Sequence, residues 1–191
     1  MNDIEKYAYI ENEYGKTFFS DINEVYKLLD DSDECVRIEM IEACYACEQE
    51  EIHKKLIDKL ETAEGLEKGY LLLTLAYIYE EEKEKIVPAL KKGITSNDAM
   101  EKLDSYIGLM ILGWSGYLKE VLDFFSSPDY HLRCAAINLI SELIQNERID
   151  FEDINTIKNA LFQLIKIEKT NAVKSSMNNL LEIMQMQGYT T

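Results

Sequence analysis

Proline occurs twice and glycine eight times in 191 residues, so the chain has few breakers and a composition that favours helices. Bases are scarce as well. Lys and Arg number 20 against 36 Asp and Glu, a formal charge of −16, so most of the surface would repel phosphate backbones and anionic membranes. Long apolar runs are missing: the longest, around Ile107 to Gly113, is far below the roughly 20 residues that a membrane span requires. The opening MNDIEKYAYIENEYG has neither the basic flank nor the apolar stretch of a secretory signal, which makes the cytoplasm the expected compartment. In that compartment Cys35, Cys44, Cys47 and Cys134 are expected as reduced thiols. There is no glycine-rich phosphate loop, no nucleophile elbow and no zinc-protease motif.

What the chain does contain is 47% hydrophobic residues, enough for the core of one domain spanning 1–191, with residues 1–20 as an N-terminal helix or extension. The clearest stretch is SSPDYHLRCAAINLI, Ser126 to Ile140. It reads as a tight turn and a buried helix: Ser127 as the N-cap, Pro128 at the first helical position, and Asp129 in the first turn, four residues before Arg133 and within ion-pair reach. Ala136, Leu139 and Ile140 form one apolar stripe at helical spacing.

The same register recurs upstream. In DDSDECVRIEMIEAC, Asp31 stands for Ser127, Asp33 for Asp129, Arg37 for Arg133, and Met40, Ala43 and Cys44 for the stripe. The two arginines are 133 − 37 = 96 residues apart, three steps of 32, and two weaker copies lie between them. One has Thr62, Glu64 and Lys68 ahead of Leu71, Thr74 and Leu75; the other has Ser96, Asp98 and Lys102 ahead of Ser105, Gly108 and Leu109. A fifth, less regular copy is centred on Lys174. Shorter amphipathic helices are expected before the turns, at Ile22–Leu29 with Ser20 or Asp21 as cap, and then over 52–60, from Ile86, over 118–125 and over 154–167. Pro88 is acceptable there if it falls in the first turn of its helix. Each unit is then a helical hairpin that must stack on its neighbours, and the expected architecture is an all-α, right-handed α-solenoid of about five hairpins over 21–187.

A helix ending in Asp or Ser, a short turn, then Val-Arg and small residues at helical spacing resembles the HEAT repeats, in particular the short HEAT-like kind of phycobilisome lyases. The resemblance implies a ladder of turn aspartates and inner-helix bases joining adjacent repeats, carried here by Asp33, Arg37, Asp98, Lys102, Asp129 and Arg133. It implies no function by itself.

Cys44-x-x-Cys47 is the one pattern suggestive of metal or redox chemistry. It lies on an inner helix without a second pair, and His53 and His131 belong to other elements, so buried thiols are expected and no metal or cofactor. His131, at a helix start, reads as a surface or turn residue. Carboxylates are too abundant for any pair of them to mark acid–base catalysis, and no catalytic residue is nominated.

Acidic runs at Glu48, Glu50 and Glu51, at Glu80 to Glu84, and at Glu147, Asp150, Glu152 and Asp153 fall in the links between units. They would form either an acidic binding ridge or an edge that only keeps the chain soluble. The inner-helix face turned away from the apolar stripe collects Glu39, Glu42, Tyr70, Tyr77, Asp104, Ile107, Trp114 and Glu142, with Leu73, Ile111 and Asn138. Acids, tyrosines and the only tryptophan suit a protein-binding concave face, unless terminal segments cover it.

Two classes of function follow. One is a non-catalytic binder, monomeric before complex formation: an immunity protein that neutralises a basic toxin domain, such as a nuclease of a bacterial contact-dependent or polymorphic toxin system, or a general HEAT scaffold. The other is a ligand-handling enzyme, either a bilin lyase or a HEAT-like glycosylase of alkylated purines. A charge of −16 opposes the glycosylase, which needs a basic face for DNA.

Overall fold

The repeating turn is a helix cap, and its chemistry recurs three times in the computed structural model, which describes residues 1–189. Asp31, Ser96 and Ser127 each accept the backbone N–H two residues on, from Asp33, Asp98 and Asp129. Those three aspartates then accept from the first turns of their own helices, through the N–H groups of Cys35, Met100 with Glu101, and His131. The sequence register is right, but the roles lie further along the chain than expected. Asp129, not Ser127, is the N-cap, and Pro128 stays outside the helix, because a carboxylate satisfies the orphan N–H groups and also favours the positive end of the helix dipole.

The described residues are all helical, with eleven α-helices and no strand. They divide into two compact units, Met1–Gly108 and the part from Leu109 onward. In the first unit, α1 (Asp3–Glu13) is closed by a capping box between Asn2 and Glu5. There follow α2 (Ile22–Leu29), α3 (Glu34–Ala43), α4 (Glu50–Leu60), α5 (Gly65–Ile78), α6 (Val87–Gly93) and α7 (Ala99–Ile111), the last crossing the boundary. Of the two caps the sequence offers for α2, Asp21 is the one used, and Pro88 lies in the first turn of α6, where its missing N–H breaks no helical bond. Helix α3 packs on α1, α2 and α5, and α4 packs on α5. Val36 and Met40 of α3 and Cys44 at its end join Leu71, Leu72 and Leu75 of α5 among the fully buried side chains.

The second unit holds α8 (Leu118–Asp123), α9 (Tyr130–Gln145), α10 (Phe151–Ile167) and α11 (Asn171–Met186). Here α9 packs on α11, with Ala136, Ile137 and Ile140 against a helix that buries Val173, Met177 and Leu180.

Arg37 and Arg133 are used alike, and differently from the expected pairing with their own turn aspartates. Each guanidinium bonds two carbonyls of its own turn, Asp31 with Ser32 and Ser127 with Pro128, and reaches a glutamate of a later helix. Arg37 meets Glu67 at 2.8 Å; Arg133 meets Glu168 at 2.7 Å. Lys68 makes the corresponding ion pair with Glu101 at 2.7 Å. The acids that meet these bases are therefore Glu67, Glu101 and Glu168, while Asp33, Asp98 and Asp129 each give one side-chain oxygen to a helix cap.

Candidate functional site

A row of tyrosines crosses the first unit. The Tyr14 ring centroid is 5.6 Å from that of Tyr45, and Tyr45 is 6.1 Å from Tyr77, edge-on. The Tyr14 hydroxyl donates to Glu42 at 3.4 Å. Tyr14 and Tyr45 are exposed to 48% and 40%, so both rings offer an open side. The row is held by the turn after α1. Gly15 has φ +70°, its N–H donates to the Ala43 carbonyl at the end of α3, and a Cβ there would meet the Tyr45 hydroxyl at 2.9 Å. Glycine is thus needed twice, for the left-handed backbone and for the approach of the ring.

Beside this row, Tyr7, Ile10 and Glu11 of α1, Tyr14 just after it and Glu39 of α3 line a groove of about 300 Å³. Tyr7 keeps 39% of its surface exposed, and its hydroxyl titrates above the ordinary tyrosine value, first through burial and then through the field of Asp33, Cys35, Glu39 and Asp3.

The residues nominated from the sequence are thus only partly assembled. Glu42 and Tyr77 join one row through Tyr14 and Tyr45, and Glu39 borders the adjoining groove. Tyr70 is half-buried on α5. Trp114 and Glu142 are exposed in the second unit, Trp114 in the turn that follows α7. Asp104 and Ile107 are corrections: both are buried, 5% and 1% exposed, and cannot line a surface. The reason is that α7 is apolar on several sides, burying Leu103, Ile107 and Leu109 to Ile111, so the stripe used to orient it does not define a single inner face. The Asp104 carboxylate lies where a side chain on Gly69 would stand, and burial, then Asp98 and Glu101, push it up to about 7.

Tyr7, Glu11, Tyr14 and Tyr45 were not among the nominated residues. The first two stand at helical spacing beside Ile10 on a legible face of α1 that Tyr14 continues at its end, but nothing local says that this face meets α3.

Cys44 and Cys47 are buried free thiols, with burial pushing both up in pKa; the Cys44 Sγ donates to the Met40 carbonyl at 3.1 Å. His131 is exposed and sits 3.0 Å from the carboxylate of Asp129. Among the described residues no group of three or more His, Cys, Asp or Glu could hold a metal ion, and no helix is long and apolar enough to cross a membrane. Comparison with family models, with curated proteins and with solved structures yields no match.

Proposed function

We propose that this chain is a non-catalytic, stoichiometric protein-binding module of the HEAT-like repeat kind, acting in the cytoplasm on a basic protein. The observation that carries the reading is the row of Tyr14, Tyr45 and Tyr77 beside Glu42. Open aromatic rings supply contact area at little entropic cost, and carboxylates among them select a cationic surface. The charge of −16 extends that preference over the whole chain and would steer a basic partner at long range. A toxin domain that handles nucleic acid, such as a nuclease, is the partner class that fits best, because a site built for phosphates is itself basic. Neutralisation then requires only that the acidic face cover that site.

A right-handed α-solenoid is the arrangement this proposal adopts for the repeats. It is supported by the three matching Asp-capped turns and by the parallel use of Arg37 and Arg133.

The test is affinity purification from the native cell with the tagged chain and with a Glu42→Lys, Tyr45→Ala variant, followed by mass spectrometry. A basic protein retained at stoichiometric level by the parent and lost from the variant is the expected result. Identical sets of proteins on both baits would overturn the assignment to this face.

A further inference from the structure

We propose that the groove between α1 and α3 is a subsite for one arginine or lysine side chain of a polypeptide partner. The proposal rests on the protein-binding reading and gives it a specific anchoring point. Three features of the lining argue for such an occupant. Tyr7 and Tyr14 present aromatic rings, whose faces attract cations. Glu11 and Glu39 supply carboxylates from the two opposing helices. Ile10, 2% exposed, gives an apolar floor suited to an aliphatic stem. Arginine and lysine combine a stem of that kind with a charged head, and the groove's volume, about 300 Å³, accommodates one of them.

The nearby cations are already engaged. Lys6 is 2.9 Å from Asp31 and 3.3 Å from Asp3, and Lys16 is 2.9 Å from Glu13. No ion pair among the described residues uses Glu11 or Glu39. Asp33, Glu39 and Asp3, whose carboxylates help to raise the Tyr7 hydroxyl, are all anions, so a second anion would enter against the field. A neutral apolar group would desolvate two carboxylates without compensation. Tyr14 belongs both to the groove and to the row that continues to Tyr45 and Tyr77. A polypeptide can place one side chain in the groove and lay its neighbours on the row, which a free small cation cannot do.

The test follows the tyrosine ring signals of the full chain by NMR while blocked tripeptides Gly-Arg-Gly, Gly-Lys-Gly and Gly-norleucine-Gly, and separately tetramethylammonium, are titrated in. The arginine and lysine peptides should shift the Tyr7 and Tyr14 signals saturably, and the norleucine peptide should not. A Glu11→Gln, Glu39→Gln variant should bind about tenfold more weakly, a loss of about 1.4 kcal/mol. Tyr7→Leu should weaken binding about as much, whereas Tyr7→Phe, which keeps the ring, should stay within about twofold of the parent. Both glutamates are exposed, so the Gln pair decides the matter even if Tyr7→Leu fails to fold. Equal shifts from the norleucine peptide, or unchanged affinity in the Gln pair, would overturn the proposal. Tetramethylammonium binding as tightly as the arginine peptide would overturn it too, by assigning the groove to a free organic cation. If the subsite fails while the affinity purification still returns a basic partner lost with Glu42 and Tyr45, only the subsite falls and the binding function stands.

Discussion

The Arg133 guanidinium bonds both carboxylate oxygens of Glu168, 35 residues further on, at 2.7 and 3.2 Å. Glu168 also accepts the N–H groups of Lys169 and Thr170, so its charge is held by four donors where α10 gives way to α11. One residue pair thereby ties the turn before α9 to the turn before α11.

Removing the guanidinium leaves the buried Glu168 carboxylate without its cation. Arg133→Ala should destabilise the fold by about 2 to 3 kcal/mol in urea-induced unfolding. Arg133→Lys, which keeps the charge but loses the fork, should cost less, and partner binding should survive in both. An unchanged midpoint for Arg133→Ala would show that the pair does not carry stability.

Acid should break this contact progressively. The Arg133 bond first, and then the backbone donors, hold the Glu168 carboxyl down at about 2, below its unfolded value near 4.3. The folded pKa is the lower one, so the stabilisation is fully present above about pH 5 and is lost as pH falls toward 2. Glu168→Gln should flatten that part of the stability–pH curve, as measured by urea midpoints between pH 5 and 2.

Asp104 has the opposite sign. Burial lifts its pKa to about 7, above the unfolded value near 3.9, so its ionisation opposes folding in full above pH 7. That cost is relieved as pH falls from about 7 to 4. Asp104→Asn should therefore be more stable than the parent at pH 8, by up to a few kcal/mol, with the difference closing toward pH 4. Equal stability of the two chains at pH 8 would mean that water or a rearranged neighbour already solvates the carboxylate.

Gly15→Ala should cost about 1 to 2 kcal/mol, since alanine is strained at φ +70° and its Cβ meets the Tyr45 hydroxyl. The ring must move aside. A changed Tyr45 ring signal and weaker partner binding are expected together; a lower melting temperature with unaltered binding would dissociate the tyrosine row from recognition.

Charges and rings on this face should act at different stages of binding. Changing Glu39 and Glu42 to Lys should slow association most at low ionic strength, where screening is weakest. Tyr45→Ala should chiefly speed dissociation, costing about 2 kcal/mol if the ring is an anchor. Surface plasmon resonance with the captured basic partner at two salt concentrations separates the two effects, and a salt-independent association rate in the Lys variant would remove the steering role.

The positions of the helices were legible because they rest on local chemistry. Asp21 and the apolar spacing of Val25, Leu28 and Leu29 mark α2 to the residue, and the 32-residue register located the turns at Asp31, Ser96 and Ser127. Periodicity reports which side of a helix is apolar, and a cap is made by atoms two or three residues apart. What lies opposite a helix is a different kind of fact. Arg37 has Asp33 four residues back, yet it binds Glu67, 30 residues on, while an Asp33 oxygen accepts the Cys35 N–H as a helix cap. Asp104 and Ile107 sit on the side of α7 expected to face outward, and packing against α5 at Gly69 and around α7 buries them. The face of α1 carrying Tyr7 and Glu11, with Tyr14 at its end, was written in the chain, but its meeting with Glu39 was set only by the docking of α1 on α3. Sequence thus determined the elements and their ends through short-range bonds and periodicity. The assembly of acids and tyrosines into one face was decided by contacts between residues far apart in the chain, whose formation depends on how whole helices bury their apolar sides.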